Sequence, residues 1–152
     1  VSACAPALAE KIGPVDAVVT AEAKGIALAY EISRLLNLKE FIVARKSTKS
    51  YMKDVVSAPV RSITTQGEQH LYLDGVDAAK IQGKRICLID DVISTGESLR
   101  ALETLVQNAG ANVIRRAAVL AEGDAANRKD IVFLQKLPLF TKTAEGDYQI
   151  IE

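Results

Sequence analysis

The sequence predicts an α/β domain: a mostly parallel central sheet flanked by helices, with a flexible hood loop and hairpin. Three observations predict it. A β-branched run at 16–20 is followed by a turn, a helical spacing of apolar residues at 26–36 and a second apolar run at 40–44. That is the β-loop-α-β unit of a parallel sheet, whose crossover is right-handed. A longer apolar run, Ile86-Cys87-Leu88-Ile89, ends in Asp90 and Asp91 and leads through Ser94, Thr95 and Gly96 toward another helix and strand. Finally, 152 residues, 49% of them hydrophobic and 25% charged, suit a single domain spanning 1–152 with a core of its own.

Each element has its own signal. Residues 2–12 are Ala-rich and helical in character, and Gly13-Pro14 stops them. The chain starts at Val1 inside this stretch, so a truncated N-terminal segment is expected. Residues 21–25 read as a turn. Ile26, Leu28, Ala29, Ile32, Leu35 and Leu36 recur at helical spacing. The stretch 45–60 breaks the pattern: it is polar and basic, contains Pro59, and reads as a long loop of the kind that often serves as a lid. Residues 61–65 and 70–73 flank Gln66-Gly67-Glu68-Gln69, a hairpin with glycine in its turn. Residues 80–84 lead into the apolar run at 86–89. Leu99, Leu102, Val106 and Ala109 form one helix face, closed by Gly110. Residues 112–120 read as a strand, 125–129 as a short helix, 131–134 as a last core strand, and the remainder as a tail containing Pro138.

Composition excludes several classes. The 19 basic residues balance 19 acidic ones, which counts against a general nucleic-acid binder. No apolar run approaches the ~20 residues of a membrane span, and no signal peptide is visible. Cys4 and Cys87 sit in no metal-ligand or CxxC spacing, and Cys87 lies in an apolar run as a buried thiol. A reducing cytoplasm is therefore the expected location.

The chemistry gathers after residue 89. Ligands of open parallel sheets bind beyond the C-terminal strand ends, where Asp90 and Asp91 fall. Strand alternation turns successive side chains to opposite faces, so the two acids are expected to do different work. Carboxylates accept hydrogen bonds from sugar hydroxyls, and acids hold a divalent cation, for magnesium usually through water. Ser94, Thr95, Gly96, Glu97 and Ser98 supply hydroxyls and backbone N–H groups at a helix N-terminus, which favours phosphate. A hydroxyl binder beside a phosphate binder fits a phosphorylated sugar. The plainer alternative is that Ser94 or Thr95 merely caps a helix. Lone His70 has no partner constellation for catalysis. Phe133 and Leu134 are core candidates or an apolar lining, and Tyr51 and Tyr72 are stacking candidates.

Residues 86–98 resemble the signature that holds 5-phosphoribosyl 1-diphosphate (PRPP) in type I phosphoribosyltransferases. Residues 16–25 resemble that family's first strand and diphosphate loop, and 42–46 its second strand ending in Arg-Lys. The mix is most similar to the adenine phosphoribosyltransferase group and its xanthine-specific and purine-regulator relatives. The resemblance implies that Asp90 and Asp91 bind the ribose hydroxyls and, through PRPP and water, Mg²⁺, with one of them assisting the base nitrogen. It implies that Ser94, Thr95, Gly96, Glu97 and Ser98 bind the 5-phosphate, and that Ala23, Lys24 and Gly25 approach the diphosphate. Arg45 and Lys46 lie near that loop, Lys46 with a catalytic share in neutralising the leaving group. Residues 47–59 form the hood, and Glu122 or Asp124 lies on the base side, with a plain turn as the alternative there.

The chain departs from the family pattern in three places. Gly96-Glu97 stands where two small residues are usual, so Glu97 is expected to face solvent. Ser94 stands where the hypoxanthine–guanine branch carries aspartate, which argues against that branch. No acid lies between Asp54 and Gly67, where adenine enzymes carry a hood glutamate. The implied activity is Mg²⁺-dependent transfer of phosphoribose from PRPP to a purine, adenine first and xanthine or another purine second. The alternative is a non-catalytic PRPP-sensing domain. The implied partners are these small molecules and a second copy of the chain, with no nucleic acid and no membrane.

Overall fold

A computed structural model describes residues 1–60, 69–144 and 146–151. Its centre is a five-stranded sheet built from β1 (Ala17–Ala21), β2 (Ile42–Ala44), β5 (Arg85–Ile93), β6 (Asn112–Glu122) and β7 (Val132–Leu137). The order is β2-β1-β5-β6-β7, and every neighbouring pair is parallel. The helices are α1 (Ala5–Ile12), α2 (Ile26–Leu35), α3 (Gly75–Ile81) and α4 (Glu97–Asn108).

Strand β5 shows why the sheet needs cover on both sides. Ile86 and Leu88 face a core shared with Val19, Ile81 of α3 and Leu99, Leu102 and Leu105 of α4. Cys87 and Ile89 face a second core with Leu8 and Ile12 of α1 and Leu28 and Ile32 of α2. A strand buried on both faces reads as an unbroken apolar run rather than an alternation. Burial pushes the Cys87 thiol up to about 12, so it is a packing group and not a nucleophile.

Four regions differ from the sequence reading. The end of the expected lid is ordered as β3 (Val56–Val60), paired antiparallel with β4 (Gln69–Leu73). The expected hairpin arm at 61–65 and its turn at 66–68 lie outside the described residues. The described arm is 56–60, because Ala58 alternates inward and joins Leu71 and Leu73 against α4. Pro59 is tolerated there because β3 pairs with β4 alone among the described residues. Secondly, residues before 80 form α3, which places Ala78 and Ile81 inward. Thirdly, the tail folds into β8 (Leu139–Lys142) and β9 (Tyr148–Ile151), an antiparallel pair exposed along its length. The expected short helix near 125–129 is a 3₁₀ turn at Gly123–Asn127. No helix of the described residues is long and apolar enough to cross a membrane.

Candidate active site

The chain crosses from β1 outward to β2 through α2, and from β5 the opposite way to β6 through α4. Strands β1 and β5 are therefore the point where the winding reverses, and a crevice opens above their C-terminal ends. Thr20 pairs with Ile89, so Asp90 and Asp91 stand level with the loop that follows β1.

Both acids are half-buried. Burial drives the Asp90 carboxyl up to about 7; a hydrogen bond with the Asp91 side chain and that group's charge add to the rise, while Lys24 opposes it. The Asp91 backbone N–H donates to Asp90 Oδ1 at 2.9 Å. Strand alternation was expected to part these side chains. Strand β5 runs on to Ile93, and the two groups still lie close enough for the Asp91 charge to act on Asp90. A Cβ on Gly25 would stand 3.4 Å from the Ile89 carbonyl oxygen, which sets the post-β1 loop against β5 just before the acids.

The loop after β5 turns at Gly96, whose φ of 82° is left-handed and suits glycine. Asp90, Ser94, Thr95, Gly96 and Ser98 line one cavity of about 110 Å³. Asp91 and Glu97 are not among its walls. Glu97 Oε1 accepts from Arg100 Nη1 at 2.9 Å, which turns that carboxylate along the helix surface, where it is half-buried. Roomier clefts, about 240 Å³ beside Lys80 and about 360 Å³ beside Tyr30, lie away from these groups and gather no comparable chemistry.

A residue not singled out in the sequence, Glu22, organises the other side. Its Oε1 accepts the Lys46 backbone N–H at 2.7 Å and its Oε2 accepts Arg45 Nη1 at 3.1 Å. The Lys46 amide, then Arg45, hold this carboxyl below its ordinary range. Glu22 thus ties the loop bearing Ala23, Lys24 and Gly25 to the end of β2. Lys46 and Ser98 line a smaller cleft with Ala21 and His70, so the second strand's basic end does reach the phosphate-type loop. His70 stacks on Tyr72. The basic loop after Arg45 is tied down at both ends: Arg45 and Tyr72 exchange backbone hydrogen bonds, and the Lys53 N–H donates to Asp74 Oδ1 at 3.1 Å. Glu122 ends β6 and Asp124 lies in the 3₁₀ turn. They stand one strand over, since Ala121 pairs with Ile93, and no bond joins them to Asp90 or to 94–98 among the described residues.

Residues 3–148 match the family of the phosphoribosyl transferase domain. The chain belongs to the phosphoribosyltransferase family. A hypoxanthine/guanine phosphoribosyltransferase of Methanococcus voltae is 34% identical over 114 residues, 75% of this chain and 57% of that protein. One from Ferroglobus placidus is 33% identical over the same shares. The chain thus spans little more than half the length of these relatives. Among solved structures, an adenine phosphoribosyltransferase from Thermoanaerobacter pseudethanolicus superposes with a TM-score of 0.77 at 22% identity, covering 90% of this chain and 80% of that one. The Trypanosoma brucei enzyme, solved with AMP, pyrophosphate and ribose-5-phosphate, gives 0.73 at 19%, covering 89% and 63%. At such identities the likeness is one of fold, and it is the type I phosphoribosyltransferase fold expected from the sequence. The names of these sequence relatives are of hypoxanthine/guanine enzymes and those of these structural neighbours of adenine enzymes.

Proposed function

We propose that the protein transfers the 5-phosphoribosyl group of PRPP to a purine base, forming a nucleoside monophosphate and diphosphate. The observation that supports this most is the single cavity shared by Asp90 with Ser94, Thr95, Gly96 and Ser98, in a chain of this family. A purine ring nitrogen attacks the anomeric carbon as the bond to the diphosphate oxygen breaks, and the nitrogen's proton passes to an acid of the pair or to water. Such a reaction needs charge neutralisation on the leaving group, positioning, and exclusion of water.

Each residue then has a task. Asp90 and Asp91 accept the ribose hydroxyls and orient the sugar. The backbone and hydroxyls of Ser94, Thr95, Gly96 and Ser98, with the backbone N–H of Glu97, take the 5-phosphate. Ala23, Lys24 and Gly25 meet the diphosphate, and Arg45 and Lys46 support its charge. Glu122 and Asp124 stand on the base side. The basic loop after Lys46, with the β3–β4 hairpin, covers the reaction. Loss of the Glu22 side chain leaves the Lys46 amide unbonded and the diphosphate loop unbraced. Glu22→Ala should therefore lower kcat/KM for PRPP about tenfold or more, with thermal unfolding little changed. Unchanged kinetics would remove Glu22 from the site.

Magnesium fits this site only as a shared ion. Among the described residues no group of three or more His, Cys, Asp or Glu side chains could hold a metal, but the paired acids offer oxygen ligands. Magnesium keeps several waters and takes its other ligands from substrate phosphates, so Asp90 and Asp91 suffice to hold it through PRPP or water. Bound there, it would neutralise diphosphate charge. The protein is further proposed to work in the cytoplasm as a homodimer.

Two purines compete. The structural neighbours favour adenine, whereas the hood, with no acid between Asp54 and Gly67, does not. The hypoxanthine/guanine names belong to relatives of higher identity, 34% against 22%, and this favours a 6-oxopurine. One panel decides: PRPP, Mg²⁺ and each of adenine, hypoxanthine, guanine, xanthine and orotate, with diphosphate release measured. Release is expected with at least one purine and not with orotate, and the responding bases name the substrate. PRPP binding without release from any base would overturn the enzyme and leave a PRPP sensor.

A further inference from the structure

The phosphate-type loop has a cationic neighbour outside the motif. Arg128 lies between the 3₁₀ turn and β7, and its guanidinium is forked on Asp130, with Nε to Oδ1 at 2.9 Å and Nη2 to Oδ2 at 2.7 Å. The fork leaves Nη1 on the far side of the group. That nitrogen sits 2.6 Å from where a Cβ on Gly96 would stand, so it packs directly on the backbone of the turn. The side chain is two-thirds buried. Asp130 first, and Glu103 of α4 after it, raise its pKa; Arg116 of β6 pairs with Glu103 and acts in turn on Asp130. The guanidinium is thus fixed by charges from β6, from α4 and from its own loop.

Its position gathers positive charge at the turn. The N-terminus of α4 is the positive end of the helix, where a cation is unfavourable. The first-turn acid that would offset it, Glu97, is bonded to Arg100. Asp130 offsets part of the Arg128 charge, but Nη1, the nitrogen not bonded to Asp130, and the helix end both present positive charge at Gly96. Such a site is completed by an anion of high charge density.

We propose that Arg128 is a positioning residue of the phosphate loop, backing the Gly96 turn and biasing the loop toward a dianionic phosphate monoester over a singly charged group. This rests on the phosphoribosyl-transfer reading above. A merely structural Arg128 would anchor the start of β7 to α4 and leave ligand charge preference untouched.

The test compares ribose 5-phosphate, a dianion at about pH 7.5, with the monoanionic ribose 5-sulfate. Binding of both is measured by calorimetry for the intact protein, for Arg128→Gln, Arg128→Lys and Asp130→Asn, and for Arg34→Gln on the exposed face of α2 as a control. In Arg128→Gln, ribose 5-phosphate should weaken about tenfold or more, ribose 5-sulfate distinctly less. The KM for PRPP should rise with kcat little changed. Arg128→Lys keeps the charge without the fork and should recover part of the loss. If Arg128→Gln fails to fold, Asp130→Asn carries the test, since it removes the carboxylate that offsets the guanidinium charge and should raise phosphate-over-sulfate preference. An unchanged preference in the folded variants overturns the proposal, even with a lowered Tm. If the unaltered protein binds neither ribose 5-phosphate nor PRPP, the phosphoribosyl-transfer reading falls and this one with it. Binding by the unaltered protein with no change in the variants removes Arg128 alone.

Discussion

Replacing Asp90 and Asp91 together by asparagine is expected to abolish PRPP binding while the fold survives. Asparagine keeps the shape of aspartate but offers one acceptor oxygen and two donor hydrogens. Sugar hydroxyls and the waters of a hydrated cation need acceptors, so the amide presents the wrong partner on half of its surface. Charge-assisted hydrogen bonds are about twice as strong as neutral ones, and losing several should weaken PRPP about 100-fold or more. Calorimetric titration with PRPP and Mg²⁺ reads the affinity, and far-UV circular dichroism reads the fold. Tight binding by the double variant would place the ribose elsewhere.

The same pair gives the ligand-free protein a pH signature. Asp90 is raised from 3.8 to about 7, so between those values the folded state holds a proton that the unfolded chain has released. Stability from this group is then greatest at the acidic end of the window and falls as pH rises through 7. Asp16, Glu22, Glu31 and Asp130 are shifted down. Their contribution is present above their unfolded values and is lost only at lower pH, so it does not mask the slope. Urea unfolding should show the natural protein losing on the order of 2 kcal/mol between about pH 4.5 and 8. Asp90→Asn should flatten that slope and be the more stable protein at the alkaline end. A slope of equal size in the variant would mean that Asp90 is ionised in the folded state throughout. The group most needed for the ligand is, without it, a cost to the fold.

The five central strands were legible because burial on both faces writes itself as runs such as Ile86 to Ile89, which no surface element tolerates. The acids and the phosphate-type loop were legible because they are contiguous in sequence. What escaped the sequence was short or tertiary. Helix α3 has seven residues, with Ala78 and Ile81 as its inward signal, too few to show a period. The β8–β9 hairpin has no buried face to produce an alternation. Glu22 looked like an ordinary turn residue, because its partners lie beyond α2 at Arg45 and Lys46. Arg128 reaches Gly96 only through the fold.

Gly25→Ala is expected to dislodge the loop that carries Lys24, and the cause is space rather than backbone angle. A Cβ on Gly25 would lie 2.1 Å from Thr20 Oγ1, with the Ile89 carbonyl oxygen and Thr20 Cβ each at 3.4 Å. The latter two are ordinary contacts; the first is a collision. Thr20 is fully buried in β1, and a β-branched side chain in a strand has few rotamers to escape into. Turning its hydroxyl away would bury it against apolar neighbours. The loop moves instead, lifting away from β5 and taking Lys24 off Asp90. Overpacking of this kind costs about 1–3 kcal/mol, and a misplacement near 1 Å at a reacting centre costs about 100-fold in rate. Diphosphate release should fall by that order while the protein stays folded. Thr20→Ala removes the colliding oxygen, so Gly25→Ala on that background should regain much of both losses. A double-mutant cycle over the two sites therefore predicts strong positive coupling in unfolding free energy and in kcat/KM for PRPP. Additive effects would mean that Gly25 is required for some reason other than its approach to Thr20. Coupling in stability without coupling in rate would separate the loop's packing from its part in the chemistry.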